Sequence, residues 1–127
     1  MHRIRLHGPW ERLDDDARVR VHLPRDWASL AHSGGDDHPL RIARRFHRPT
    51  GLTPGCRVHL SIPDEWREAV LWLNGEPIPR LESSGGRQRF EITPAVMRTD
   101  SHEVVLVARI APAAPCLVVL EIEPGQS

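Results

Sequence analysis

The stretch that decides the fold is Ala69-Val70-Leu71-Trp72-Leu73-Asn74-Gly75-Glu76. Its large apolar residues lead to an Asn-Gly pair, which forms a two-residue turn because both residues tolerate positive φ. The pattern predicts a β-hairpin whose return strand covers 78–81. Trp72 has the opposite parity to Leu71 and Leu73. If those leucines fill the core, Trp72 points to solvent or into a covering loop.

Alternation of apolar and polar residues continues along the rest of the chain. Turns are frequent, with 12 Pro and 9 Gly, and no β–α alternation or long amphipathic helix occurs. One helical turn is predicted at Thr93-Pro94, with Thr93 as the N-cap. The sequence therefore predicts a single all-β domain over 1–127, an antiparallel sandwich or barrel. The predicted strands cover 2–7, 18–23, 41–48, 56–62, 69–74, 78–81, 87–92, 102–110 and 116–122.

Charge and hydropathy exclude several classes of protein. The 17 basic residues, all of them Arg, balance 17 acidic residues to a formal net charge of +0. Bulk charge therefore predicts no polyanion partner, and a nucleic-acid partner is not expected. No apolar run approaches the roughly 20 residues of a membrane span, and the N-terminus lacks the apolar stretch of a secretory signal. We expect a cytoplasmic protein that does not enter a membrane.

The residue types that bind metals form no recognisable ligand pattern. Cys56 and Cys116 lie outside Cys-x-x-Cys spacing, and we expect them to be reduced and buried, or bridged if the protein is exported. The eight His include no pair with His-x-His or His-x-x-x-His spacing. The Asp runs at 14–16 and 36–37 offer oxygen ligands for calcium but do not match an EF-hand loop. We predict no cofactor and no metal site, with calcium as the open alternative.

Six segments carry a resemblance to a known family. They are 23–27 (Leu-Pro-Arg-Asp-Trp), 44–49 (Arg-Arg-Phe-His-Arg-Pro), 57–62 (Arg-Val-His-Leu-Ser-Ile), 69–75 (Ala-Val-Leu-Trp-Leu-Asn-Gly), 90–94 (Phe-Glu-Ile-Thr-Pro) and 102–107 (His-Glu-Val-Val-Leu-Val). In this order they resemble the N-terminal sugar-binding domain of glycoside hydrolase family 2, the β-galactosidase and β-glucuronidase type. The resemblance implies a galactose-binding-domain-like jelly roll of about eight or nine strands over residues 8–122. The sequence has no room for the barrel that carries the two catalytic Glu of that family, so hydrolase activity is not implied.

Tryptophans are the first candidates for a ligand contact. An aromatic face stacks on the apolar C–H face of a pyranose while polar neighbours bond its hydroxyls. Trp72 and Trp66 are the candidate platforms, and Asp64 and Glu65 give the loop around Trp66 the composition of a binding rim. Arg44 completes the candidate ligand-binding set. The alternative is that Trp72 packs under a loop and Trp66 closes a bend.

In several predicted strands, Arg and His residues alternate with the apolar residues. If these strands are neighbours, one sheet face is cationic and suits acidic or sulfated sugars through bidentate Arg contacts. The alternative is a solvated face neutralised by nearby Glu. These alternating Arg and His residues are Arg3, Arg5, His7, Arg18, Arg20, His22, Arg57, His59, Arg87 and Arg89.

The last two strands are apolar on both parities. Residues 104–110 and 116–122 are therefore expected to be covered by the chain's own loops or to form an interface. In the second case a homodimer or a partner protein binds through these strands.

Three hypotheses for function follow, of which the third is a remnant of a hydrolase with no ligand left. The preferred one is a stand-alone, non-catalytic carbohydrate-binding-type module that binds a glycan. The alternative is a protein–protein interaction or oligomerisation sandwich without a sugar ligand. A groove beside Trp66 or Trp72 with convergent Asp, Glu and Arg favours the first hypothesis, whereas an exposed apolar patch on the last two strands favours the second. The sequence shows no catalytic constellation, and no enzyme activity is predicted.

Overall fold

The computed structural model describes residues 2–14, 17–28, 39–66, 68–81, 85–109 and 118–125. This part of the chain forms ten β-strands and one helix that is described over its whole length. The strands are β1 (His2–Arg5), β2 (Gly8–Leu13), β3 (Arg18–Leu23), β4 (Leu40–His47), β5 (Arg57–Pro63), β6 (Val70–Leu73), β7 (Glu76–Ile78), β8 (Arg87–Glu91), β9 (Ser101–Ala108) and β10 (Val119–Glu123). The helix, α1 (Thr93–Arg98), lies between β8 and β9.

The strands form two antiparallel sheets that pack as a sandwich. One sheet has four strands in the order β1-β10-β5-β8, and the other has six in the order β3-β2-β4-β9-β6-β7. The all-β, antiparallel jelly-roll sandwich predicted from the sequence is confirmed.

Strand β9, near the middle of the six-stranded sheet, shows how alternation builds the core. Val104, Leu106 and Ala108 are buried between the sheets, whereas Val105 and Val107 lie half-buried on the outer face. The core-facing residues of the other strands join these side chains in one continuous apolar cluster between the two sheets. The largest fully buried side chains of this cluster are Trp10, Trp66 and Phe90.

Strand β2 is the element that the sequence prediction missed. Gly8 has φ +91°, a backbone conformation that suits glycine, and Pro9 interrupts the apolar–polar pattern. Trp10 is nevertheless buried, and its indole nitrogen donates a 2.8 Å hydrogen bond to the Leu6 carbonyl. β2 pairs with both β3 and β4, so the sandwich has one strand more than predicted.

The start of α1 also differs from the prediction. The helix begins at Thr93 itself, with Ile92 before it and no side-chain cap. The Thr93 hydroxyl instead accepts a 2.9 Å hydrogen bond from the Val58 amide and donates one of 3.1 Å to the Glu91 carboxylate. Thr93 as N-cap was therefore wrong, because its hydroxyl fastens the helix start to β5.

The predictions on metals and cysteines are only partly covered by the described residues. Cys56 is buried and unbridged, whereas Cys116 and the Asp residues at 15–16 and 36–37 lie outside the described residues. Within the described ranges, no three His, Cys, Asp or Glu side chains gather into a metal-binding group. No helix in that same part of the chain is long and apolar enough to cross a membrane.

Shortening a side chain to Ala is expected to lower the free energy of unfolding by very different amounts on the two faces of β9. Leu106 is fully buried, so Leu106→Ala is expected to lower the free energy of unfolding by about 2–5 kcal/mol. Val107→Ala on the outer face of the same strand is expected to cost no more than about 1.5 kcal/mol. Urea unfolding of both variants measures the difference. Equal losses would contradict the placement of these two side chains on opposite faces.

Candidate functional site

Trp72 is positioned by the hairpin that the sequence predicts, although the return strand β7 covers Glu76–Ile78 and not 78–81, because it begins directly after the two-residue turn. Asn74 and Gly75 join β6 to β7 with φ values of +53° and +85°, the two positive values of a type I′ turn. Leu71 and Leu73 of β6 are buried, and Trp72 is 38% exposed. The outward orientation of Trp72 is therefore confirmed, on the outer face of the six-stranded sheet.

Hydrogen bonds at the hairpin tip hold β6 against β9. The Asn74 side-chain oxygen accepts from the Glu103 amide at 2.9 Å, and the Asn74 amide donates to the Glu103 carbonyl at 2.9 Å. The Asn74 side-chain nitrogen donates to His102 Nδ1 at 3.0 Å, so Nε2 is free to donate to the Thr99 carbonyl at 3.0 Å. The His102 ring also stacks on Phe46, with 5.2 Å between ring centroids. These contacts fix the register that places Trp72.

Trp72 belongs to a small apolar surface made by two strands. Val70 lies opposite Val107 and Trp72 lies opposite Val105 in the β6–β9 pairing, and we call these four residues the apolar strip. Residues two apart on a strand are about 7 Å apart and neighbouring strands about 5 Å apart, so the strip has the dimensions of one or two sugar rings. On the far side of Trp72 lies Pro77 of the edge strand β7.

Paired charges border the apolar strip at both ends. Glu68 and Arg109, each two residues beyond the strip, form an ion pair of 3.1 Å. At the other end the Glu103 carboxylate lies 3.2 Å from the Arg18 guanidinium and 3.7 Å from that of Arg45. The hydrogen bond with Glu103 raises the pKa of Arg18 above its already high ordinary value. Carboxylates and guanidiniums thus stand beside an exposed indole.

The predicted rim around Trp66 is not formed, because Trp66 is a core residue. It is 1% exposed, and its ring meets that of Trp27 edge-on with 5.7 Å between centroids. Its carbonyl accepts a 2.9 Å hydrogen bond from the Gln88 side chain. Asp64 and Glu65 are exposed in the turn that follows β5. The proposal of Trp66 as a ligand platform is therefore corrected, since neither face of its ring is open.

Arg44 also lies apart from Trp72. Its Nε and Nη2 donate hydrogen bonds of 3.0 and 2.7 Å to the His7 carbonyl, and Nη1 donates one of 2.9 Å to the Arg45 carbonyl. Burial lowers the pKa of Arg44. Arg44 lies on the same side of β4 as the core-facing residues, whereas Trp72 lies on the outer face of the sheet. Arg44 therefore ties the β1–β2 connection to β4, and of the five predicted site residues only Trp72 presents a ring to solvent.

The two strands predicted to form an interface lie in different sheets. Val105 and Val107 of β9 are on the outer face of the six-stranded sheet, and Val119 of β10 is on the outer face of the four-stranded sheet. Leu117 lies outside the described residues. These strands therefore do not present one continuous patch, and only the β9 residues lie beside Trp72.

Two adjoining hollows at one end of the sandwich are the competing candidate. They share Gly51 and Leu52 and have volumes of about 400 and 490 Å³. In the larger one Arg48 and Asp100 already pair with each other at 2.6 Å. Neither hollow has a Trp or Phe among its described lining residues. The Trp72 surface is therefore the stronger candidate.

Several solved structures share this fold over nearly the whole chain. One is an FMN-binding beta-glucuronidase from Facaelibacterium prausnitzii L2-6, with 19% identity, a TM-score of 0.63, and coverage of 94% of this chain and 22% of that one. Another is the beta-glucuronidase of Bacteroides uniformis, with 20% identity, a TM-score of 0.64, and coverage of 97% and 18%. A glycosyl hydrolase family 2 member from Bacteroides cellulosilyticus DSM 14838 has 14% identity, a TM-score of 0.63, and coverage of 98% and 21%.

The chain has the fold of the N-terminal domain of family 2 glycoside hydrolases. The fold implied by the sequence resemblance is thereby confirmed. The chain spans about a fifth of the length of these enzymes. No protein-family model matches the sequence, and no curated protein matches it.

The contacts of His102 predict a pH-dependent stability. Burial lowers the pKa of His102 below its ordinary value, which is about 6.5. As the pH falls below that value, the unfolded chain takes up a proton that the folded chain resists, so the free energy of unfolding decreases. His102→Gln should therefore lose less stability than the wild-type protein between pH 7.5 and 5.5, measured by thermal unfolding.

The matched control for that experiment is His22→Gln, because His22 is an exposed strand residue. This variant should retain the pH dependence of the wild-type protein. If His102→Gln and His22→Gln behave alike, the buried imidazole does not cause the acid sensitivity.

Proposed function

We propose that this chain acts as a non-catalytic carbohydrate-binding-type module that holds a glycan on the apolar strip. The observation that carries the proposal is the exposed ring of Trp72, bordered by charged side chains at both ends of the strip. An indole face stacks on the C–H face of a pyranose, and carboxylates and guanidiniums bond its hydroxyls. Both kinds of contact are offered within a surface of the size of one or two sugar rings.

The size of the apolar strip favours a sugar over a protein partner. A buried Trp contributes about 150–250 Å² in total, and Trp72 is 38% exposed, so its open area is on the order of 100 Å². A standard protein interface buries roughly 800 Å² on each partner. The open indole is therefore far smaller than a protein docking surface and has the size of a stacking contact with one sugar ring.

The fold likeness supports the same proposal. The similar structures are named as glycosidases, among them two beta-glucuronidases, so a carbohydrate ligand agrees with the setting in which this fold occurs. The chain spans about a fifth of those enzymes, which is why we propose binding and not hydrolysis.

One observation favours the alternative of protein docking. Val105 and Val107 extend the apolar surface beyond Trp72, and Val70 is 44% exposed. A second copy or a partner protein would have to cover these residues together with the charged ends of the strip. The oligomeric state separates this alternative from glycan binding.

Removal of the indole is the direct test of the glycan proposal. Trp72→Ala is expected to weaken glycan binding by at least about tenfold, because the stacking surface is lost. A glycan array identifies the ligand, and calorimetric titration of the wild-type and variant chains measures the affinity. Val19→Ala is the matched control, since Val19 is also 38% exposed. No binding by the folded wild-type chain, or equal affinity of both variants, would refute the proposal.

The docking alternative is tested with Val107→Asp. Val107 is half-buried on the outer face, so the variant is expected to fold, and under the glycan proposal its mass in solution equals that of a monomeric wild-type chain. Light scattering after size-exclusion chromatography measures the mass. A wild-type dimer that Val107→Asp converts to a folded monomer would establish docking instead.

A further inference from the structure

The Arg and His residues predicted to share one cationic face are divided between two. Arg18, Arg20 and His22 lie on the outer face of the six-stranded sheet. The larger group lies on the outer face of the four-stranded sheet, which we call the arginine face. Its basic members are Arg3, Arg5, Arg57, His59, Arg87 and Arg89.

A buried carboxylate organises the centre of the arginine face. Glu121 is 1% exposed, and one of its oxygens accepts a 3.0 Å hydrogen bond from Arg3 Nε. Arg89 Nε lies 3.0 Å from the other oxygen, in an ion pair that is not aligned as a hydrogen bond. Arg3 comes from β1 and Arg89 from β8, the two edges of the sheet. Glu121 therefore draws both guanidiniums towards the middle of the face.

This arrangement leaves donors available to an external anion. Glu121 engages only the Nε atoms of Arg3 and Arg89, and their Nη atoms have no partner among the described residues. A guanidinium held at Nε keeps its planar fork in a defined orientation. Arg3, whose side chain is 61% exposed, thus presents a preorganised fork to solvent, and Arg89 stands across the sheet with a side chain that is 28% exposed.

Two further arginines lie on this face, Arg5 in the same row of the register as Arg89 and Arg87 in the row beyond it. Arg5 is exposed and forms no ion pair within the described ranges. Arg87 is held by hydrogen bonds to the hydroxyl and carbonyl of Ser61. Val119 and Ser61 stand between Arg5 and Arg89 in the register, and Ser61 is fully buried with its hydroxyl bonded to Arg87. The two edge strands of this sheet are about 14 Å apart at three strand spacings.

The arginine face has more positive than negative charge, although the whole chain is neutral. The strands of this face carry five Arg and three Glu, namely Glu91, Glu121 and Glu123. Their formal charge is therefore +2, whereas that of the whole chain is +0. Glu91 is also engaged, because its carboxylate accepts a hydrogen bond from Thr93. An anion therefore meets an attractive local field on this face.

We propose that the arginine face is a second binding site, for the carboxylate or sulfate groups of an acidic glycan. Guanidinium groups bind such anions through paired, charge-assisted hydrogen bonds. A nucleic acid is less suited, because no Trp or Phe stands among the described residues of this face to stack on bases. The inference rests on the proposed function for the class of ligand, but the site lies on the opposite sheet from Trp72.

Titration of the full chain with heparin, a sulfated glycan, tests this site, with uncharged dextran as the reference ligand. Heparin is expected to bind more tightly than dextran, and more weakly as salt is added, because the arginines are solvent-accessible. Arg5→Gln should lower the heparin affinity about five- to tenfold by removing one charged donor. Arg20→Gln, on the outer face of the other sheet, is the matched control and should leave it unchanged.

The same titrations separate this inference from the Trp72 site. Trp72→Ala should retain the heparin affinity of the wild-type chain if the arginine face is an independent site. The inference is overturned if the chain does not bind heparin, if Arg5→Gln and Arg20→Gln weaken binding equally, or if single-stranded DNA binds as tightly as heparin with the same dependence on Arg5.

Discussion

The register of β6 against β9 is the constraint on which the candidate site depends. Side chains alternate along a strand, so a slip by one residue would place Trp72 in the core and turn Leu71 and Leu73 to solvent. The two-residue turn fixes the pairing within the hairpin, and the bonds from Asn74 to Glu103 and His102 fix it against β9. A single set of local contacts therefore decides both what fills the core and what faces a ligand.

The elements that could be predicted from the sequence are those with strong local signals. The Asn-Gly turn and the outward orientation of Trp72 depend on neighbouring residues and were predicted correctly. Strand β2 was missed because Gly8 and Pro9 hide its alternation, although Trp10 belongs to the core. Thr93 is suited to an N-cap by its local sequence, but its hydroxyl bonds β5, a partner distant in sequence.

The candidate site was harder to predict than the fold, because it depends on contacts between sheets and loops. Trp66 has acidic neighbours that resemble a binding rim, yet its ring packs against that of Trp27 from a distant segment. Arg44 is of a residue type that often binds ligands, yet its guanidinium donates a hydrogen bond to the His7 carbonyl. Alternation along each strand correctly predicted that the Arg residues lie at the surface. Which of them share a face, however, depends on the order of the strands in the sheets. That order is not encoded in any local pattern.

Pro77 in the edge strand β7 has a consequence for how this protein meets other molecules. A proline has no backbone N–H, so it cannot donate to a strand laid alongside it. The six-stranded sheet is therefore closed to extension by an added strand at this edge. At this edge a partner must therefore bind through side chains, and recognition there depends on residue chemistry and not on backbone pairing.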